Sequence, residues 1–546
     1  MKKIIPLILI ACCFFLAVSF QSSNDDYKKK QPNILWITVE DMSPQHLGCY
    51  GGKVAQTPFI DQLAKESVRY TNVFSTAGVC APSRSAIITG MYQTSIGGHN
   101  MRTLNNAATS ITSPVPSYSA VIPEDVKCFP EYLRRAGYYC TNNEKQDYQF
   151  EAPVTVWDEN SKTADWQGRK TKNQPFFSII NLMTTHESQV FMREKEPLTV
   201  DPKQVQLLPF YPDNEIIRTD VARFLTNVET MDKQVGEIIQ KLKADGLYDN
   251  TIIFFFSDHG DGLPFVKREL YDRGLKIPLL IKYPKGKDGG KVDDQLICFV
   301  DFAPTILSLA DIPIPKYIQG QAFLGKQKSR QKRQYIYAAR DRMDSEYDRV
   351  RAVSDGRFKY LKNYMPEKPY YQNIQYRLSQ KSMVEILRLR DEGKLDAVQM
   401  YWFRKTKPDE ELFDVHSDPN ELHNLANEPQ YQDKLDELRE KHLVWINTYG
   451  DLGAIPEKEL IAKWWDGKNG PPKTQTPVIE HKKGKIFISC VTKGASIAFK
   501  NHWNEKTWGV YQQPIRARAG DSLYVVAQRI GYEQSDVVIL NNKDYK

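Results

Sequence analysis

The chain has 546 residues, 41% of them hydrophobic and 26% charged, enough for one large cored domain with one or two smaller ones. A net charge of +7 is a mild excess on this length, compatible with a mixed surface or with a basic funnel for an anionic substrate. No long Lys/Arg stripe is present, which argues against nucleic-acid binding.

Lys2 and Lys3 precede an apolar run from Ile4 to Phe20, the form of a secretory signal over residues 1–20. Cleavage is expected near Ser19 to Ser22, so the chain is read as exported, to the periplasm or beyond. Leu9-Ile10-Ala11-Cys12 offers a lipoprotein site instead, and membrane attachment is expected only through lipidation at Cys12. Residues 21–30 are polar and lysine-rich, a disordered tether. A catalytic domain is expected over 31–345. Asn33–Val39, Phe176–Leu182, Thr251–Phe256 and Leu279–Ile281 read as buried strands, and Thr57–Val68, Phe129–Ala136 and Val221–Ala244 as helices. Continuous apolar strands separated by helices predict an α/β fold, a mostly parallel sheet with helices on both faces. Over 346–470 the pattern changes to a smaller α+β subdomain. It has a hairpin around Asp355-Gly356, a strand over Glu411–Val415 and a helix over Tyr431–Tyr449. After Asn469-Gly470-Pro471-Pro472, short runs with turn signals predict a small β-sandwich module over 474–546. Loss of the signal would remove Cys12 and Cys13, and the remaining cysteines are scattered without CxxC spacing. They form neither a disulfide framework nor a zinc site.

In an open parallel sheet, sites form beyond the carboxyl ends of the strands. Glu40-Asp41 follows the first buried strand, Thr184-Thr185-His186-Glu187 the second, and Ser257-Asp258-His259-Gly260-Asp261 the third. Any one of these alone is read as a solvated loop or a helix cap. Three together on one sheet edge point to a metal-centred site, and oxygen donors from Glu40, Asp41 and Asp258 suit calcium, or less well magnesium. The segment Cys80-Ala81-Pro82-Ser83-Arg84 precedes Ser85-Ala86-Ile87-Ile88-Thr89-Gly90. Pro82 fits a first helical turn, which places Cys80 at a helix N-terminus where the dipole favours an anion. A buried core cysteine before a helix fits the same residues.

That segment meets in full the Cys-x-Pro-Ser-Arg…Thr-Gly signature, and by it the sequence resembles the type I, formylglycine-dependent sulfatases of the alkaline-phosphatase-like superfamily. Glu40-Asp41, Asp258-His259-Gly260, Lys267 four residues before Tyr271, and Asp418-Pro419-Asn420-Glu421 with Asn424-Leu425-Ala426 match further family motifs in order, over residues 31 to 450. The resemblance implies an alkaline-phosphatase-like fold and a Cys80 oxidised to formylglycine by a formylglycine-generating maturation enzyme. It implies Ca2+ held by Glu40, Asp41, the residue at 80, Asp258 and His259. A hydroxyl of hydrated formylglycine would attack sulfur. Arg84 would hold the formylglycine, Lys145 and Lys267 would neutralise sulfate oxygens, and His186 would act as general acid. One departure stands out: Asn142-Asn143-Glu144-Lys145-Gln146-Asp147 puts Asp147 where the family usually has a histidine. The base that collapses the sulfated intermediate is then Asp147 or another group, with His99 a candidate nearby in sequence.

Tyr211–Leu247, Lys267-Arg268-Glu269-Leu270-Tyr271 and Ile312-Pro313 resemble the heparan N-sulfatase (sulfamidase)-like branch. This implies a sulfated glycan substrate, N-sulfoglucosamine or an O-sulfated galactan or glucosamine. Arg340 and Arg342, in Arg340-Asp341-Arg342-Met343-Asp344, are candidates to clamp a carboxylate or a second sulfate, together with the loop His99 to Arg102. A surface salt-bridge network fits that cluster equally. Trp503 and Trp508 of the last module suit sugar stacking, with buried packing the plainer role. Two alternatives from other classes remain. One is a phosphomonoester or phosphonate hydrolase on the same scaffold, and the other a glycan-binding protein with a dead enzyme domain.

Overall fold

A computed structural model describes residues 31–104, 115–516 and 522–541. The expected signal and tether lie outside the described residues, and no helix among those described is long and apolar enough to cross a membrane. The central sheet has eight strands. They run in the order Glu159–Asn160, Tyr139–Asn143, Phe176–Leu182, Asn33–Val39, Thr251–Ser257, Leu279–Lys282, Val68–Tyr70 and Val292–Asp293. Leu279–Lys282 runs antiparallel to both of its neighbours, and the other pairings are parallel. The sheet is therefore mostly parallel, with one reversed strand. Val68, expected as the last residue of a helix, instead opens the short strand Val68–Tyr70, because the helix ends at Lys65.

Both faces of the sheet are covered, and the strand alternation shows how. Leu35, Ile37 and Val39 face one core with Ile60 and Leu63 of the Pro58–Lys65 helix and Phe224, Val228 and Met231 of the Glu215–Ala244 helix. Ile34 and Trp36 face the other core, with Ile87, Phe129, Leu133 and Ile306 from three further helices. Trp36 is 1% exposed, and its indole lies 5.2–6.1 Å from the rings of Phe129, Phe177, Phe254, Phe256 and Phe302. This aromatic nest fixes the strand that ends at Glu40-Asp41. Trp36→Ala is expected to cost about 3–5 kcal/mol, read as the shift of a urea unfolding midpoint with unchanged slope.

A second sheet pairs Ile336–Arg340, Val350–Ser354, Phe358–Asn363 and Glu410–Asp414, all antiparallel. The Gln432–Tyr449 helix closes it by packing Leu435 and Leu438 against Val353, Tyr360 and Leu412. The expected boundary at 345/346 falls between the first two of these strands. Beyond residue 474, a three-stranded and a four-stranded sheet share a core of Ile486, Ile488, Leu523 and Val525. This module is joined to the catalytic layer by polar contacts: Ser496 Oγ donates to Glu131 at 2.7 Å, and Thr507 Oγ1 donates to the Asp158 carbonyl at 2.9 Å. Trp503 is not buried as its plainer reading expected. It is 60% exposed, with Tyr524 beside it at 5.4 Å. Trp508 is half-buried beneath the Lys500 ammonium.

Candidate active site

The three acid-bearing strand ends lie level. Val39 pairs with Leu182 on one side and with Ser257 on the other, so Glu40-Asp41, His186-Glu187 and Asp258-His259 emerge together from the same sheet edge. The chain turns sharply there, and Asp41 adopts a left-handed φ of 48°. That conformation is uncommon outside glycine and marks a residue held by its surroundings. The Asp41 backbone N–H donates to Asp258 Oδ1 at 3.1 Å, and its Oδ2 accepts from the Glu187 N–H at 2.7 Å.

Cys80 is the first residue of the helix Cys80–Thr89, and every residue of that helix is buried. Ile87 and Ile88 pack in the core with Trp36 and Phe256 of the sheet, while Ser83 and Arg84 reach into the site. Ser83 Oγ donates to the Asp258 carbonyl at 2.7 Å, and Arg84 Nη1 donates to Asn181 Oδ1 at 2.9 Å. Arg84 also binds Glu40 through Nη2 and approaches Asp258 at 3.4 Å. Cys80 Sγ stands 3.5 Å from Glu40 Oε2, 3.8 Å from Asp41 Oδ1 and 3.3 Å from His259 Nε2. Burial pushes its thiol well above the usual cysteine range, despite Lys145 and Lys267 nearby.

Lys145 lies 2.7 Å from Glu40 Oε2 and 3.7 Å from Asp147, while Lys267 lies 2.5 Å from Asp41 Oδ2 and 3.0 Å from Glu187. Burial disfavours the charge on Glu40, yet Arg84 and Lys145 outweigh it and hold the carboxyl well below its ordinary value. The same contest at Asp41 is won by Lys267. Burial, and then Lys267, push His186 down to about 4, so its imidazole is neutral near pH 7.

The donor set tests whether these residues fit a metal ion. Glu40, Asp41, Cys80 and His186 bring ligand atoms within 4.8 Å of one another, and so do Asp41, Cys80, Asp258 and His259. His259 Nδ1 lies 2.9 Å from the Gly260 carbonyl, where it donates, and Nε2 faces Asp41 Oδ1 at 3.1 Å. Only a proton or a cation makes that second approach favourable. Burial, and then Glu40, push the Asp258 carboxyl above its ordinary range, a crowding that a cation relieves. Each group carries one imidazole, and the buried carboxylates Glu40, Asp41 and Asp258 fit a hard divalent ion.

The structure thus brings Glu40, Asp41, Cys80, Arg84, Lys145, Asp147, His186, Asp258, His259 and Lys267 to one place. It does not bring Arg340 and Arg342 there as free clamps. Arg342 is fully buried and gripped by Glu457 at 2.6 and 2.8 Å, and Arg340 is buried against Asp348 at 2.6 Å. Of the two readings of that cluster, the salt-bridge network matches, though inside the protein rather than on its surface. His99 is buried as well and lines a separate cavity. Sequence reasoning gave no role to Glu187 and Arg268, which form a bidentate pair at 2.8 and 2.9 Å behind Lys267. The available signal was the charged run Lys267-Arg268-Glu269 set between Phe265-Val266 and Leu270-Tyr271.

Residues 32–312 match the family model described as Sulfatase, and residues 260–372 the one described as N-sulphoglucosamine sulphohydrolase, C-terminal. The chain is 44% identical to an ulvan-active sulfatase of Formosa agariphila, over 98% of each chain. It is 23% identical to the N-sulphoglucosamine sulphohydrolase of Homo sapiens, over 83% of this chain and 96% of that one. Among solved structures, a 2-O GAG sulfatase superposes with a TM-score of 0.56 at 20% identity, covering 77% of this chain and 93% of the other, a likeness of fold.

Proposed function

The chain belongs to the sulfatase family, enzymes that hydrolyse sulfuric ester bonds, and from that premise we propose that it desulfates a polysaccharide through a formylglycine made from Cys80. The observation that carries this reading is the placement of Cys80 at the N-terminus of a buried helix, against Glu40, Asp41 and His259. A thiol held protonated by burial is a weak nucleophile, so the unmodified side chain does not suit the reaction. Glu40, Asp41, Asp258 and His259 would hold a divalent cation, calcium in preference to magnesium. When bound, it supplies positive charge that lowers the nucleophile's pKa and offsets charge on the transferring sulfuryl group.

The chain's own residues account for the rest. Four carboxylates, Glu40, Asp41, Glu187 and Asp258, are interleaved with four cations, Arg84, Lys145, Lys267 and Arg268. Arg84 fixes Glu40 and Asp258 and thereby orients the residue at position 80. Lys145 and Lys267 sit where sulfate oxygens exchange places with carboxylate partners. His186, half-buried and neutral in the free site, gains basicity when an anionic ester arrives and can then protonate the leaving oxygen. Asp147, half-exposed beside Lys145, is the base proposed for the second step.

For the substrate we favour an O-sulfated polysaccharide of the ulvan type, supported by the relative named for activity on ulvan, which matches nearly the whole chain. The second reading, N-sulfoglucosamine, is favoured by the C-terminal family model over residues 260–372. Export to the periplasm belongs to the same proposal and suits a polymer met outside the cytoplasm. The test is sulfate release by protein matured beside a formylglycine-generating enzyme, with calcium, on ulvan fragments, N-sulfated glucosamine oligosaccharides and a phosphomonoester. Release from ulvan alone is expected, and it should vanish with a chelator and return with added calcium. Phosphate release without sulfate release would overturn the reading. Activity indifferent to exhaustive chelation would remove the metal from it.

A further inference from the structure

Glu187 and Arg268 have no part in the chemistry derived so far, yet each is only 2% exposed and they grip each other closely. Arg268 Nη1 donates to Glu187 Oε2 at 2.9 Å and Nη2 to Oε1 at 2.8 Å. The fork thus occupies both oxygens and fixes the plane of the carboxylate. Glu187 Oε1 also lies 3.0 Å from Lys267 Nζ, which on its other side lies 2.5 Å from Asp41 Oδ2. The Glu187 N–H donates to that same Asp41 oxygen at 2.7 Å, and Glu187 directly follows His186.

The backbone ties the pair to position 80 as well. The Arg268 N–H donates to the Gly78 carbonyl at 2.6 Å, two residues before Cys80. The two segments are pressed together there: a Cβ on Gly78 would lie 2.3 Å from the Glu269 carbonyl oxygen. Arg268 itself holds a left-handed φ of 78°. Glycine adopts that conformation freely and a residue with a side chain rarely does. A long charged side chain kept at such a position points to a need for its guanidinium.

The arrangement of charge shows what the need is. Lys267 stands between two carboxylates, Asp41 at the site and Glu187 behind it. With Arg268 in place, Glu187 is matched from its far side, and the ammonium stays on Asp41. Without Arg268, Glu187 would be a buried carboxylate with Lys267 as its one cation among the described residues, and it would draw the ammonium back.

We propose that Arg268 is a positioning residue for sulfuryl transfer: by holding Glu187 it keeps the Lys267 ammonium forward, where sulfate oxygens arrive. This rests on the reading of Lys267 as a ligand of the sulfate and adds the group that sets its place. Because Glu187 is what pulls the ammonium back, removing that carboxylate should repair the loss of the arginine.

The test compares Arg268→Gln, Glu187→Gln and the double variant with the wild type, all full-length and with calcium present. Each is matured beside a formylglycine-generating enzyme, and kcat and KM are measured on the substrate that the wild type desulfates. Arg268→Gln should lower kcat by about tenfold to a hundredfold and change KM by less than about threefold. The double variant should regain about tenfold in kcat over Arg268→Gln. Arg351→Gln is the control, since Arg351 is fully buried and bound by Asp341 at 3.0 Å and Asp451 at 2.7 Å. It should lower the melting temperature comparably and leave kcat within about twofold. A second readout needs no turnover. In the Cys80→Ala background, calorimetry with inorganic sulfate should show about tenfold weaker binding for Arg268→Gln and recovery in the double variant. A double variant no better than Arg268→Gln in both measurements would overturn the positioning role, as would an equal kcat loss in Arg351→Gln. Where Arg268→Gln alone does not fold, Glu187→Gln is compared with the double variant. Agreement within about threefold is expected, and a further tenfold loss would mean that Arg268 does not act through Glu187. A wild type that releases no sulfate from any substrate would sink the proposed function, while the sulfate titrations still decide the role of Arg268.

Discussion

Cys80→Ala should abolish sulfate release, by a factor on the order of 10⁴ or more, while leaving the protein folded. The side chain lost is small, its contacts are to Glu40, Asp41 and His259 rather than to the helix, and the substitution leaves the backbone hydrogen bonds in place. The effect is large because the residue at 80 is the proposed nucleophile and faces Glu40, Asp41 and His259 together. Peptide mass spectrometry of the active wild type should show position 80 lighter than cysteine by the change from thiol to aldehyde. An active preparation whose residue 80 is wholly unmodified cysteine would remove the formylglycine from the account, and substantial turnover by the alanine variant would remove position 80.

Lys267→Met carries the second large expectation, in two measurements that move differently. Lys267 is 2% exposed and sits between Asp41 and Glu187. Losing it removes a positive charge aimed at the sulfate, which should lower kcat by about 10²–10³-fold. It also leaves two carboxylates buried beside each other with less to balance them. In calcium-free buffer the variant should therefore lose about 3–5 kcal/mol of stability, measured by denaturant titration. Calcium should recover part of that stability and none of the lost turnover, since a cation among Glu40, Asp41, Asp258 and His259 replaces charge but not the position of the ammonium. Equal stability of variant and wild type without calcium would mean that the balance of charges drawn here is wrong.

What could be read from the sequence followed from the physics of each element. Asn33–Val39 and Phe176–Leu182 are legible to the residue, because a strand buried on both faces is a mostly apolar run and here stops at a polar cluster. The short strands Val68–Tyr70 and Glu159–Asn160 carry too few residues to show a period, and the first begins inside the span that reads as the preceding helix. The candidate site was legible where its residues follow buried strands or sit in the Cys80 signature. Arg340 and Arg342 were harder, because an arginine's meaning lies in its partner. Those partners, Asp348 at close range and Glu457 more than a hundred residues on, declare themselves only when the chain folds. The role of Glu187, next to His186, is hidden in the sequence for the same reason: Lys267 and Arg268, which define it, lie beyond the Thr251–Ser257 strand in sequence.

The complete burial of the Cys80–Thr89 helix also sets an order in time. A maturation enzyme of the kind proposed has to enclose residue 80 in its own active site, and in the folded protein that side chain is sealed beneath Glu40, Asp41 and His259. If residue 80 is oxidised as proposed, the step would belong to the nascent or unfolded chain, before the first strand and the Thr251–Ser257 strand meet. Those two strands lie more than two hundred residues apart, so ribosomal synthesis itself holds the window open until the later one emerges. The separation in sequence that places the two central strands far apart along the chain would also give such an enzyme the interval in which to act.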